Sequence, residues 1–303
     1  MSTREARVNE YEALVVSAVR DHRTVMFLGA LDSGKSTLTR ALLAAALDAG
    51  RSCAYLDADL GQTSVGPPAT VGMKLVRSRD DLVSDRLAVA DGLSFVGSTS
   101  AQGHVLPLVT GSAGVLRKAH DAGADFVAVD TSGIVSGIHG QLLKYHKMEL
   151  LQPDLVVGLQ RGEELQPLLG IAQRFFATEV VSLGIHPDVV PISVEQRAEH
   201  REAAMRRYFS GELHRFRVKP TVFLPALPPL FDLSVLDRLL VGCSDGAGSY
   251  LGVGYLEHVP EDGGLRLISP VADAPKALRL GSVRLEETFR VKRVDLRNLF
   301  GTE

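Results

Sequence analysis

Gly29-Ala30-Leu31-Asp32-Ser33-Gly34-Lys35-Ser36 fits the spacing G-x-x-x-x-G-K-[ST], a loop that wraps phosphate with its own main chain. Glycine lets successive N–H groups turn inward and form an anion-binding concavity. The lysine reaches the outer phosphates, and the serine hydroxyl is placed to ligand Mg²⁺. Gly29, Asp32, Ser33, Gly34, Lys35, Ser36 and Thr37 are therefore the expected contacts of a nucleoside triphosphate. The flanks agree. Arg23-Thr-Val-Met-Phe-Leu28 is a short apolar run of strand type, and Leu38, Leu42 and Ala45 recur at helical spacing up to Gly50. Strand, glycine loop and helix come in the order that puts phosphates at a helix N-terminus.

The apolar and helical runs extend outward from this loop. Residues 1–22 carry Tyr11, Leu14, Val15 and Ala18 at helical intervals. Strand-like runs are expected at 24–28, 52–58, 93–97, 126–131, 154–160 and 178–183. Helices are expected at about 35–49, 112–122, 139–151, 163–176 and 194–209. This alternation predicts an α/β fold, a P-loop NTPase parallel sheet flanked by helices. After Lys219, Pro220, Pro225, Pro228 and Pro229 punctuate a linker, and short strand-like runs follow, broken by glycine-rich turns. The expected division is a P-loop domain at 1–219 and a smaller β-rich domain at 220–303, barrel-like or half-open.

Composition narrows the setting. Hydrophobic residues at 45% and charged residues at 23% are ordinary for a globular chain. Cys53 and Cys243 are the only cysteines, which excludes a disulfide framework and a thiolate zinc cluster. No apolar stretch reaches membrane-spanning length, so a cytoplasmic protein with no membrane partner is expected. A net charge of −3 does not mark a general nucleic-acid binder. Local clusters exist: 194–219 holds seven Lys or Arg against four Asp or Glu, and 276–297 holds seven against three. His139, Lys144, His146 and Lys147 lie on an expected helix; metal binding by those histidines is not expected.

A P-loop enzyme needs carboxylates near the metal. Tyr55-Leu-Asp-Ala-Asp-Leu-Gly-Gln62 and Asp130-Thr-Ser-Gly133 each end an apolar strand, and both emerge at the sheet edge that carries the phosphates. Asp57 or Asp59 taken alone also reads as a turn cap. Two carboxylate sites on one edge suggest that one holds metal waters and the other takes a proton from an acceptor hydroxyl.

Asp59-Leu-Gly-Gln62 resembles the D-x-G-Q motif of the polynucleotide 5′-hydroxyl kinases of pre-mRNA 3′-end and ribosomal-RNA processing. Thr131-Ser-Gly133 is similar to that family's T-x-G-W clasp, with Ile134 where tryptophan is usual. Arg197-Ala-Glu-His-Arg201 resembles its R-x-x-x-R lid, which implies a lid at about 190–210. The similarity runs from about residue 22 to the end. Only some 22 residues precede the first expected strand, so the expected layout is that of archaeal or bacterial-type members, without the N-terminal β-domain of eukaryotic relatives.

The resemblance implies an ATP- and Mg²⁺-dependent kinase acting on a nucleic acid with a 5′-hydroxyl end, RNA favoured and DNA a second candidate; it implies nothing about protein partners. It assigns Lys35, Asp59, Arg197 and Arg201 to catalysis, with Asp59 accepting the proton of the 5′-hydroxyl. Ser36 falls to the metal. Asp130 stands where relatives vary between asparagine and aspartate, and a water-mediated Mg²⁺ contact there is expected from its chemistry, not from the family. Gln62, Thr131 and Gly133 fall to the substrate end, Thr131 through its hydroxyl. Arg197 and Arg201, four apart, share one helix face. Isoleucine at 134 offers no base stacking, so affinity or strand choice is expected to differ from tryptophan-bearing relatives.

Three other readings compete. Asp130-Thr-Ser-Gly133 also satisfies the D-x-x-G of a GTPase switch, but no N-K-x-D occurs in the chain. Partitioning-type ATPases carry an extra early lysine where Ala30 stands. A binding module that keeps ATP as a structural cofactor is disfavoured by the intact set of Lys35, Asp59, Arg197 and Arg201.

Overall fold

Apolar runs of six residues are too short for stable helices but span a sheet, and four of them build the centre of this protein. The computed structural model describes residues 3–261 and 263–301. In chain order, α1 (Thr3–Asp21) leads into β1 (Thr24–Gly29), the phosphate loop and α2 (Lys35–Asp48). There follow β2 (Cys53–Ala58), β3 (Thr70–Val76), α3 (Ser84–Leu87), β4 (Gly92–Phe95), α4 (Val105–Asp121), β5 (Phe126–Thr131), α5 (Gly137–Leu151), β6 (Leu155–Gln160), α6 (Gln166–Phe175), β7 (Glu179–Gly184) and α7 (Val194–Tyr208). The first sheet has the order β4-β3-β2-β5-β1-β6-β7. Strands β2, β5, β1, β6 and β7 are mutually parallel, and β1, β2, β5 and β6 are buried along their whole length.

One strand departs from the expected layout. β3 runs antiparallel between β2 and β4 and had no counterpart in the sequence reading, because Gly72 and Lys74 interrupt its apolar character. Gly72 is required by packing: a Cβ there would lie 2.8 Å from the Val65 carbonyl carbon.

The second sheet comprises β8 (His214–Val218), β9 (Phe223–Leu224), β10 (Leu239–Ser244), β11 (Tyr250–Val259), β12 (Gly264–Ser269), β13 (Ala277–Leu285) and β14 (Val291–Arg293), before α8 (Leu296–Phe300). It is antiparallel in the order β14-β13-β10-β11-β12-β8, with β9 parallel to β13. β8 pairs with β12, so this sheet takes a strand from upstream of the proline-punctuated linker. One face encloses Leu239, Val241, Leu256, Leu267 and Leu280. The other packs Leu240, Val253 and Val283 against Phe95 of β4 and against Met205 and Phe209 at the end of α7. Arg279 donates to the Phe95 carbonyl (3.0 Å), and the Ser282 N–H donates to the Gly97 carbonyl (2.6 Å), closing the seam between the sheets. Among the described residues no helix is long and apolar enough to cross a membrane.

Candidate active site

The carboxyl ends of β1, β2 and β5 meet beneath one cavity of about 1330 Å³, lined by the phosphate loop, Asp59, Gln62, Arg197 and Arg201. Gly34 sits at φ 87°, a left-handed conformation that costs a side chain dearly. A Cβ on Gly29 would lie 2.9 Å from the Leu159 carbonyl oxygen, so only glycine lets the loop leave β1 beside β6. Lys35 is buried and folds over its own loop, donating to the carbonyls of Gly29 (3.0 Å) and Ala30 (2.8 Å) and to the Ser33 hydroxyl (3.2 Å). Burial lowers its pKa, opposed by the charges of Asp130, Asp59 and Asp32.

β2 and β5 run in register, with Asp57 beside Asp130. Their roles differ. Asp57 accepts the N–H groups of Asp59 (2.9 Å), Ser64 and Val65 (3.0 Å), and so ties down the loop after β2. It is a turn cap, with a pKa pushed well up by burial and by Asp130. Asp59 is half-buried and lines the cavity. Its Oδ1 accepts from the N–H groups of Gly61 (2.8 Å) and Gln62 (3.3 Å). The charge of Asp59 is felt by Lys35, Asp130 and Arg201.

Asp130 accepts from the Tyr55 hydroxyl through Oδ2 (2.9 Å), whereas its buried Oδ1 has no hydrogen-bond partner. Burial raises its pKa; Lys35 and the Ser36 hydroxyl pull it down. An orphaned carboxylate oxygen beside a serine hydroxyl and the phosphate lysine suits a hydrated divalent cation. Ser36 and Asp130 thus fit Mg²⁺. Among the described residues no group of three or more His, Cys, Asp or Glu is disposed to hold a metal unaided, as expected where phosphates complete the shell.

Above this floor lies α7, begun by a capping box in which Ser193 accepts the Gln196 N–H while Gln196 accepts that of Ser193. Arg197 forms an ion pair with Asp32 of the phosphate loop, and Ile192 N–H also donates to that carboxylate (3.4 Å). Arg201 donates to the Gly61 carbonyl (3.4 Å), and Gln62 donates to the carbonyls of Gly61 (2.7 Å) and Arg197 (3.3 Å). The pKa of Arg201 is lowered, by burial first and then by Arg197, while Asp59 raises it. The helix is therefore latched onto both loops that flank Lys35. Asp32, expected as a phosphate contact, spends its carboxylate on Arg197.

Several expected residues do something else. The Thr131 hydroxyl does not face the cavity: it is fully buried, donates to the Phe27 carbonyl (2.7 Å) and accepts from Lys144 Nζ (2.9 Å). Geometry corrects the expectation that it clamps the substrate end. Gly133 packs on the phosphate loop, where a Cβ would lie 2.7 Å from Leu31 N. Ile134 packs on the main core. In the basic segment 276–297, Arg279 and Arg284 donate to main-chain carbonyls and hold the second sheet in place.

Other contributors went unseen in the sequence. α1 contributes Tyr11, Val15 and Val16 to the cavity wall, opposite His186 and Val189 of the loop after β7. Tyr11 meets His186 edge to face at 5.3 Å and donates to the Gly184 carbonyl (3.0 Å). Lys144 and Lys147, read as part of an ordinary basic helix, are wholly buried beneath the site. No local pattern separates these from surface positions.

Known proteins show the same organisation. The polyribonucleotide 5′-hydroxyl-kinase of Pyrococcus horikoshii is 28% identical over 90% of this chain and 88% of its own. The enzyme of that name from Methanocaldococcus jannaschii is 31% identical over 69% of this chain and 56% of its own. The solved structure of Clp1p in complex with Pcf11p superposes with a TM-score of 0.72 at 14% identity, covering 92% of this chain and 79% of Clp1p, a likeness of fold. Residues 29–211, more than half the chain, match the family described as mRNA cleavage and polyadenylation factor CLP1 P-loop, and the protein belongs to that family.

Proposed function

We propose that the protein is an ATP-dependent polynucleotide 5′-hydroxyl kinase that transfers the γ-phosphoryl group to the 5′-OH end of RNA. One observation carries this reading: Lys35, Asp59 and Arg201 line a single cavity from three elements, an arrangement that would suit transfer between a triphosphate and an alcohol. The names of the archaeal relatives support RNA as acceptor.

Lys35 would leave its loop carbonyls for the β- and γ-phosphates, and the N–H groups of residues 32–37 would bind them from below. Ser36 and Asp130 would hold Mg²⁺, which when bound supplies neutralisation of phosphate charge. Asp59 would accept the proton as the 5′-oxygen attacks phosphorus, and ADP leaves with the electron pair of the broken P–O bond. Arg197 and Arg201 would neutralise charge on the transferring group, an effect worth roughly 10³–10⁵ in rate. The adenine end would lie against the wall made by α1 and residues 186–190. A GTPase switch fits less well. At the end of β6 Gln160 is engaged with Ser182 and Leu165, and Arg161 donates to the Asp32 carbonyl, so that strand end braces the loop where a switch reads guanine. Burial pushes both thiols, Cys53 and Cys243, up to about 12, which leaves them poor nucleophiles with no part in the transfer.

Incubation with γ-labelled ATP and 5′-hydroxyl RNA or DNA oligonucleotides tests the assignment. Label on the oligonucleotide is expected, RNA before DNA. Label released only as free phosphate would replace the kinase by a hydrolytic switch.

A further inference from the structure

α5 carries two lysines three positions apart, and neither reaches water: Lys144 and Lys147 are both 0% exposed. A buried ammonium is costly unless compensated, so each needs an account. Lys144 has one in hydrogen bonds. Its Nζ donates to the Thr131 hydroxyl (2.9 Å), the Ser132 carbonyl (2.6 Å) and the Ser132 hydroxyl (3.4 Å), which pins the turn after β5. Lys147 does not. Among the described residues its hydrogen bond goes to the Ala58 carbonyl (3.0 Å), the residue before Asp59. The rest of its compensation is charge, from Asp59, Asp57 and Asp130.

Resting on the kinase reading above, we propose that Lys147 is a positioning residue for phosphoryl transfer, fixing the Asp59 loop from beneath through the Ala58 carbonyl. The need is physical. A proton acceptor must keep its carboxylate within hydrogen-bond reach of the attacking hydroxyl, so the loop that carries it must not shift. The groups acting with Asp59 come from every side: Lys35 from α2, Asp57 from β2, Asp130 from β5, Lys144 and Lys147 from α5, and Arg201 from α7. Of the cations, Lys35 and Arg201 line the cavity and turn to the phosphates when they arrive. Lys144 is committed to its turn. Lys147 is sealed behind the sheet edge, where no phosphate can draw it away. Burial brings its pKa down to about 8, which leaves it charged at neutral pH.

Two variants separate anchor from charge. Lys147→Gln can still donate to the Ala58 carbonyl; Lys147→Met cannot. Both are expected to bind a non-hydrolysable ATP analogue within about threefold of wild type, because Lys147 does not line the cavity. Lys147→Gln should keep kcat within about threefold of wild type, whereas Lys147→Met falls at least tenfold at unchanged affinity for the analogue. Wild-type turnover in Lys147→Met, or an equal loss in both variants, overturns the proposal. If the wild-type protein phosphorylates no oligonucleotide, the kinase reading falls, and amide hydrogen exchange of residues 59–63 still decides this inference, since faster exchange in Lys147→Met than in Lys147→Gln needs no acceptor.

Discussion

Replacing Arg197 by alanine should unlatch the lid, and the size of the effect follows from the pair it breaks. The Arg197 and Asp32 side chains are 15% and 16% exposed. Breaking a fully buried ion pair costs about 3–5 kcal/mol, and an exposed one about 0.2–1. This pair lies between, nearer the buried end, but Asp32 can rehydrate once the arginine is gone. About 2 kcal/mol is the reasonable figure. At about 1.4 kcal/mol per decade, the open population of the first half of α7 rises roughly 30-fold. Amide hydrogen exchange of residues 198–203, followed without nucleotide where exchange reports equilibrium opening, should accelerate by that factor. Residues 205–208 should hold their protection, because Met205 and the neighbouring Phe209 are buried against the second sheet. Asp32→Asn should give a similar acceleration, and the double substitution should add little to either single one. Unchanged exchange in Arg197→Ala, or full additivity in the double variant, would refute the latch.

Asp59→Asn should lower transfer by at least 10³ with ATP-analogue affinity within a few-fold, whereas Lys35→Ala should lose both; normal turnover in Asp59→Asn removes it from the chemistry. Gly242→Ala would put a Cβ 2.5 Å from Phe95 Cγ and 2.7 Å from its Cβ, forcing the two sheets apart. A loss of about 1–3 kcal/mol in denaturant unfolding is expected, and an unchanged midpoint contradicts the packing. Thr131→Val removes a buried donor to Phe27 and an acceptor of Lys144, for about 2–3 kcal/mol. A raised KM for the oligonucleotide with no loss of melting temperature would instead return that hydroxyl to the substrate.

The first sheet was legible because its signals are local. The glycine loop fixes β1 and α2, and fully apolar runs betray strands covered on both faces. The β5 span at 126–131 and the start of α7 at 194 coincide with expectation for this reason. β3 was invisible because a strand interrupted by glycine and lysine has neither period two nor a continuous apolar run. In the site, the resemblance to a known family, not spacing alone, pointed to Asp59, Arg197 and Arg201, whose side chains line one cavity. Spacing could not tell that the Thr131 hydroxyl turns inward, since the side chain's direction depends on the Phe27 carbonyl of a strand 104 residues away. The buried lysines failed for a related reason. Lys144 and Lys147 sit beside Tyr145, His146 and Glu149 in a stretch that is polar by composition, and only the crossing of α5 beneath β2 and β5 takes them out of water.

At the root of α7, Phe209 stacks on Phe289 (ring centroids 5.7 Å apart) and meets Tyr255 edge to face (5.4 Å). The arginine helix is thus a lever bolted at one end to a layer that never sees phosphate, its free tip resting on the layer that does. Distant repacking of that bolt alters the tip's swing while the nucleotide cradle stays as it was. Truncating Phe289 should therefore appear as slower turnover at unchanged ATP affinity, a kinetic lesion whose origin no inspection of the cleft would reveal.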